Sequence, residues 1–314
     1  MQLVLNELSS QFPLSNQYQA REEMTLFLKT YKAAVKVTGS DQLILDKDYN
    51  HINLAVGYCI KQWRNDSEVD IEDKRVFRSL IQRSALYDAF PIEDVSEFKV
   101  HPYGISSQGC LLAYLLSGCC LSFHRKEWDI PFINGDYYSI DKQTEQIINR
   151  EVRIPNIASV STATTFSQTY SDQIKRENCE SFISGEDILK CRDKFSNIIF
   201  CKNTENQLLK ERCRNSVVQI AKRLVELQEY FESAEGAFNP NQLNHCTTES
   251  ETTLQTYKQD HTFILPNGKN QLFSWHLRFT GDYAGRIFFH PDMKSKKCYI
   301  GHIGHKLPTV ENPT

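Results

Sequence analysis

Between residues 21 and 38 the apolar side chains Met24, Leu26, Phe27, Leu28, Tyr31, Ala34 and Val35 recur at three- and four-residue intervals. That spacing predicts an amphipathic helix, and Gly39 ends it. A short strand is expected at 42–45 and a helix at 53–63. A more charged helix is expected at 71–87, with Val76, Phe77, Leu80, Ile81 and Leu86 inward and Lys74, Arg75, Arg78, Gln82 and Arg83 on a solvated face. After Pro91 the pattern shortens to strands at 98–103, 119–124, 130–133 and 152–154 and an apolar helix at 108–116 closed by Gly118. The Ser- and Thr-rich stretch 155–171 reads as a connection. It leads to a helix near 162–177 and a short one near 185–191, opened by Ser184 with Asp187 at the third position.

The next segment has the clearest periodicity. Asn197-Ile198-Ile199-Phe200-Cys201 is a compact apolar strand. A long helix follows over 204–232, with a stripe of Leu208, Leu209, Cys213, Val217, Ile220, Ala221, Leu224, Leu227 and Phe231. Residues 233–259 read as a polar spacer. Strands at 261–265 and 272–279 flank an Asn267-Gly268 hairpin signal, and strands at 286–290 and 297–303 flank Pro291-Asp292-Met293-Lys294. The expectation is an α+β chain: a mixed α+β domain over 1–190, then a domain over 191–314 of one strand, one long helix and a four-stranded antiparallel meander.

Composition narrows the class without naming an activity. At 40% hydrophobic and 24% charged, 314 residues bury an ordinary globular core. The most apolar run, 110–123, falls short of the ~18–20 residues of a membrane span, so no membrane partner is expected. The opening residues give no basic segment of a secretory signal, which points to the cytoplasm. The ten cysteines form no C-x-x-C pair, so reduced, mostly buried thiols are expected and no metal or cofactor is called for. Charge is uneven. Residues 266–306 hold seven basic residues against Asp282 and Asp292, a net +5 in a chain whose total is −3. An anionic partner at this end is one reading and a solvated, lysine-blunted sheet edge the other.

Several motifs fail on their physics. His302-Ile303-Gly304-His305 spells a nucleotidylyltransferase signature, but that motif opens a helix, and Pro308 and Pro313 follow here. His302 and His305 are three apart on a strand and so point to opposite faces, away from a shared metal. Two loose carboxylate–lysine sets, Asp88 with Glu97-Phe98-Lys99 and Asp282 with Asp292-Met293-Lys294, leave a Mg²⁺-dependent nuclease as an alternative. There is no P-loop, no G-x-G-x-x-G and no G-x-S-x-G elbow.

Gly281-Asp282-Tyr283, then Arg286-Ile287-Phe288-Phe289, a turn at Asp292, and Ile300-Gly301-His302-Ile303-Gly304-His305-Lys306 form a sequence that resembles the RelE/ParE/HigB toxins. The likeness covers about 196–306, and Ala284-Gly285 interrupts its Gly-Asp-Tyr-Arg join. The whole chain is also loosely similar to proteins of bacterial phage-defence islands. The resemblance implies a metal-independent endoribonuclease without cofactor, acting on RNA rather than DNA, or on the ribosome. It implies Arg286 at the phosphate, His305 or His290 as general acid or base, and Lys269, Arg278, Lys296, Lys297 and Lys306 on the nucleic-acid backbone. Other members of the fold do not cleave RNA, so a non-catalytic subunit binding nucleic acid or a partner protein of a defence system is the alternative. Residues 1–190 are then a regulatory or docking domain.

Overall fold

The computed structural model describes residues 1–92, 95–140, 147–176 and 182–310; Cys179, Pro313 and the end of the helix read to 177 lie outside them. The chain is an α+β protein. Its contacts separate two units, one of Met1–Ala89, Val95–Ile140 and Ile147–Lys175, the other of Phe90–Asp94, Asp141–Gln146 and Arg176–Thr314. The sequence reading divided the chain at 190/191. No helix among the described residues is long and apolar enough to cross a membrane.

The first unit runs β1 (Leu3–Leu5), α1 (Gln17–Thr38), β2 (Leu43–Leu45), β3 (Asn53–Ala55), β4 (Tyr58–Cys59), α2 (Ile60–Asn65), α3 (Ile71–Arg83), β5 (Ala85–Leu86), β6 (Val95–Val100), β7 (Ile105–Ser106), α4 (Gln108–Leu115), β8 (Cys119–Leu121), β9 (Phe132–Ile140), β10 (Ile147–Ile157) and α5 (Val160–Arg176). Eight strands form one sheet in the order β5-β2-β1-β8-β10-β9-β6-β7. The β5-to-β10 half is parallel and the β10-to-β7 half antiparallel. β1, β2 and β8 are uninterrupted apolar triplets because both of their faces are buried. Leu3, Leu5, Leu43, Leu45 and Leu121 share a core with Met24, Phe27 and Leu28 of α1 and Phe77 and Leu80 of α3. Each such side chain contributes about 1.5–3 kcal/mol on burial. Asn16 starts α1 four residues before the periodic stretch by accepting a hydrogen bond from Gln19 N at 3.0 Å.

Two expectations fail locally. The helix read at 53–63 is a β3–β4 hairpin followed by the short α2, because Gly57 takes a left-handed φ of 68° and turns the chain. The connection read at 155–171 is too long, because the helix read near 162–177 already begins at Val160. Ser159 and Thr162 cap it reciprocally, and Thr164, Thr165 and Thr169 bond back to carbonyls four residues earlier.

The second unit runs α6 (Gly185–Lys190), β11 (Ile198–Phe200), α7 (Lys202–Lys210), α8 (Arg214–Ser233), β12 (Cys246–Thr248), α9 (Glu251–Thr256), β13 (Thr262–Ile264), β14 (Asn270–Leu272), β15 (Trp275–Thr280), β16 (Ala284–Asp292) and β17 (Lys297–Gly304). Five strands form a sheet in the order β11-β17-β16-β15-β12. β15, β16 and β17 are the meander, with β12 antiparallel on one side and β11 parallel on the other. The strand read at 261–265 leaves the meander and pairs with β14 as a separate hairpin. β12 comes from the stretch read as a polar spacer. It is three residues long and held by backbone pairing rather than by an apolar pattern. The long helix is two helices. At Glu211 the backbone is extended, its carbonyl accepts from Gly185 N, and its carboxylate accepts from Cys213 N and Tyr283 Oη. The stripe on α8 holds: Val217, Ile220, Ala221, Leu224, Leu227 and Phe231 are fully buried against Leu277, Phe279, Ile287 and Phe289.

Candidate functional site

One face of the five-stranded sheet is spent on α8, since alternate residues of β15 and β16 must point to it. The other face carries the complementary set: Thr247 on β12, His276 and Arg278 on β15, Arg286, Phe288 and His290 on β16, and Tyr299 and His302 on β17. Register sets the chemistry. Arg278 pairs directly with Arg286, His276 with Phe288 and also with Thr247, and Phe288 with His302. Phe288, Phe273 and Cys201 form a small buried cluster on this side, with Phe263, Leu265, Tyr299 and Leu307 against it.

His276 is 3% exposed. Its Nε2 lies 2.8 Å from Thr247 Oγ1, and Glu249 Oε1, on a residue that is itself buried, lies 3.3 Å from its Nδ1. The latter is an electrostatic contact without hydrogen-bond alignment. Burial pushes the His276 imidazole well below its ordinary pKa, and the charges of Arg286, Arg278 and Lys306, with His261, push the same way. The fold therefore favours the uncharged form of this ring. His261 and His302 are likewise lowered, chiefly by burial. His302 donates from Nε2 to the His305 carbonyl at 2.7 Å and accepts at Nδ1 from Gln207 Nε2 at 2.8 Å.

Of the residues read from the sequence, the structure sets Arg278 directly opposite Arg286, and Gly304, paired with Arg286 on its other side, leads through His305 to Lys306. Arg286 is 3% exposed and its Nη1 donates to the Gly285 carbonyl at 3.1 Å. Of the histidines chosen as acid or base, His305 follows Gly304, the residue paired with Arg286, and His290 lies further along β16. The His305 ring lies tilted against Tyr283, 4.3 Å between centroids, and Tyr283 packs on the α8 core. His290 lies four residues along β16 from Arg286, about 13 Å away, against Phe273. Burial lowers its pKa, with Asp292 pulling the other way. The remaining lysines scatter. Lys269 is exposed in the β13–β14 turn, the Lys296 carbonyl accepts from Asn197 Nδ2, and Lys297 Nζ donates to the Ser196 carbonyl at the far end of the sheet.

The carboxylate–lysine sets have structural employment. Asp282 accepts from Ser216 N at the start of α8, and Asp292 closes its own turn through Lys294 N and Ser295 N. Glu97 pairs with Ser106 and Lys99, and Asp88 sits near Lys47. Among the described residues no group of three or more His, Cys, Asp or Glu side chains converges as a metal site.

His276 and Glu249 were missed by the sequence reading, one inside an apolar strand and one in the polar spacer. One signal was available. Taking Gly281-Asp282-Tyr283 as a turn, rather than as the head of a strand, pairs 280 with 284 and therefore Arg278 with Arg286. Gly281 is required there because a Cβ would lie 2.5 Å from Ser216 Cα. Set against family models, curated proteins and solved structures, the chain matches none of them.

Proposed function

We propose that this protein acts on RNA through its second unit, in a toxin-like or phage-defence role, with Arg278, Arg286 and Lys306 holding the sugar–phosphate backbone. The observation that supports this most is the directly opposed pair Arg278–Arg286. Two guanidinium forks side by side match phosphate oxygens, and planar bidentate donors bind phosphate more specifically than lysine does. In a metal-independent endoribonuclease the same cations stabilise the charge that develops on the phosphorus oxygens. The neighbouring imidazole on the same face is His276, and His305 directly follows Gly304, the residue paired with Arg286. The first unit is then a regulatory or docking domain, and the setting is cytoplasmic.

A second reading, a subunit that binds nucleic acid or a defence partner without turnover, is favoured by the burial of Arg286, His276 and Glu249. One experiment separates the two. Wild type and Arg278→Ala are expressed in a bacterial culture and total RNA is examined, while the purified proteins are incubated with single-stranded RNA in EDTA. Fragmentation that Arg278→Ala abolishes at equal protein level supports the ribonuclease. Salt-dependent binding without fragments supports the binding subunit. Neither binding nor cleavage refutes both.

A further inference from the structure

The five-stranded sheet ends on β11, and among the described residues no strand pairs with its outer side. In the parallel ladder with β17, Asn197, Ile199 and Cys201 turn their backbone groups inward. The Asn197 carbonyl accepts from Cys298 N at 2.8 Å, and Cys201 N donates to the Ile300 carbonyl at 3.0 Å. Ile198 and Phe200 therefore turn theirs outward. Ile198 N is engaged by the Phe195 carbonyl at 3.0 Å. The Phe200 N–H and the Ile198 and Phe200 carbonyls are left without a backbone partner among the described residues. These residues border a groove of about 430 Å³, lined also by Phe195 and Ile199, with Arg192 and Glu205 paired at 2.8 Å on its wall. Lysines surround it. Lys194 and Lys202 are exposed before and after β11, Lys297 donates from Nζ to the Ser196 carbonyl at 2.8 Å, and Lys296 is exposed beside it. Of the acidic residues nearby, Asp193 and Glu205 line the groove, Glu232 accepts from Gln228, and Asp292 closes its own turn. Among the described residues no ion pair holds Lys194, Lys202 or Lys296.

We propose that the outer edge of β11 docks an extended acidic peptide of a partner protein, which joins the sheet as a further strand. Open backbone groups on alternate residues are what an added strand satisfies. The apolar floor takes alternate side chains of the incoming strand, and the lysines before and after β11 take its carboxylates. A second copy of this chain fits poorly, because it brings the same lysines to the same edge, and lysines blunt an edge against such pairing. Nucleic acid also fits poorly. Its phosphates offer acceptors, and two of the three open groups are themselves acceptors. The proposal stands apart from the RNA reading and gives the lysines at this end of the sheet a partner of their own.

The test uses the full chain and a fluorescein-labelled peptide of alternating valine and threonine with two glutamates at each end, read by anisotropy. Binding with a Kd of about 1 mM or tighter is expected. It should weaken about tenfold when the central amides of the peptide are N-methylated, when lysines replace its glutamates, or when the protein carries Lys194→Glu with Lys202→Glu. Both substitutions are at exposed positions, and circular dichroism checks that the variant is folded. Hydrogen exchange gives a second readout: the Phe200 amide should gain protection on binding, while the Ile199 amide, already turned to β17, should not change. No binding at about 1 mM overturns the proposal. So does equal affinity for the N-methylated peptide, for the lysine-ended peptide or for the double variant, or a Phe200 amide that stays unprotected in the complex. If the peptide fails while the chain dimerises with Phe200 protected, the edge belongs to a second copy. If it fails while the double variant loses single-stranded RNA binding, the edge belongs to RNA.

Discussion

Arg278 and Arg286 stand directly opposite one another on β15 and β16, on the face of the sheet that does not pack on α8. Such neighbours have Cβ atoms about 4.5–5.5 Å apart, a spacing that suits the proposed sharing of one small anion. Arg278 is the more accessible of the two. Replacing it with alanine is expected to weaken single-stranded RNA binding by roughly tenfold, with circular dichroism unchanged. An equal affinity for variant and wild type refutes the shared-anion reading.

The buried imidazoles make the second unit acid-sensitive. His276, His261 and His302 all have pKa values lowered by the fold. Below the ordinary value of ~6.5 the unfolded chain takes up protons that the folded one refuses, so their stabilisation is present above that pH and lost as pH falls, by up to about 1.4 kcal/mol per unit for each group. Glu23 in the first unit acts with the opposite sign. Burial raises its carboxyl to about 7 against the pull of Arg125, so its contribution is present below its ordinary value and fades as pH rises through 7. The clean comparison is therefore between variants. His276→Gln is expected to be less stable than wild type at pH 7.5, and the gap should narrow by pH 5.5 in chemical denaturation. A gap independent of pH contradicts the assignment.

In the first unit a chain of buried amides and hydroxyls ties three parallel strands together. Asn6 Nδ2 donates to Ser122 Oγ at 2.9 Å, which donates to Asn156 Oδ1 at 2.7 Å, and Asn156 Nδ2 donates to the Trp128 and Ile130 carbonyls. Asn156→Leu strands two carbonyls and one hydroxyl, and a loss of roughly 2–4 kcal/mol is expected in urea unfolding. A loss under about 0.5 kcal/mol means that water or rearrangement satisfies these groups.

Gly281→Ala tests whether the Gly281-Asp282-Tyr283 run is scaffold rather than site. A Cβ there meets Ser216 Cα, Asp282 caps α8, and Tyr283 Oη donates to Glu211. The substitution is expected to cost roughly 2 kcal/mol or more in stability. Wild-type thermal stability in this variant contradicts that role.

The legible parts of the fold are those where one local signal decides. The α1 and α8 stripes, the Asn267-Gly268 turn and the Ser184/Asp187 opening of α6 appear where the pattern puts them. The illegible parts are decided by distant partners. Glu211 breaks a continuous stripe because Gly185, Cys213 and Tyr283 claim its polar groups. β12 is a strand because β15 supplies its hydrogen bonds. The site follows the same division. Basic charge around 266–306 was visible along the chain, but its separation into three places depends on strand register, and Glu249 joins His276 only through the β12–β15 pairing.

The most direct measurement is the affinity of purified wild type and Arg278→Ala for a short single-stranded RNA across a series of salt concentrations. For a site with three basic contacts, log affinity should fall against log salt with a slope of about −2 for wild type, and the Arg278→Ala slope should be shallower by about 0.7. Binding that is absent, or that has the same slope in both proteins, contradicts the assignment of RNA to this face.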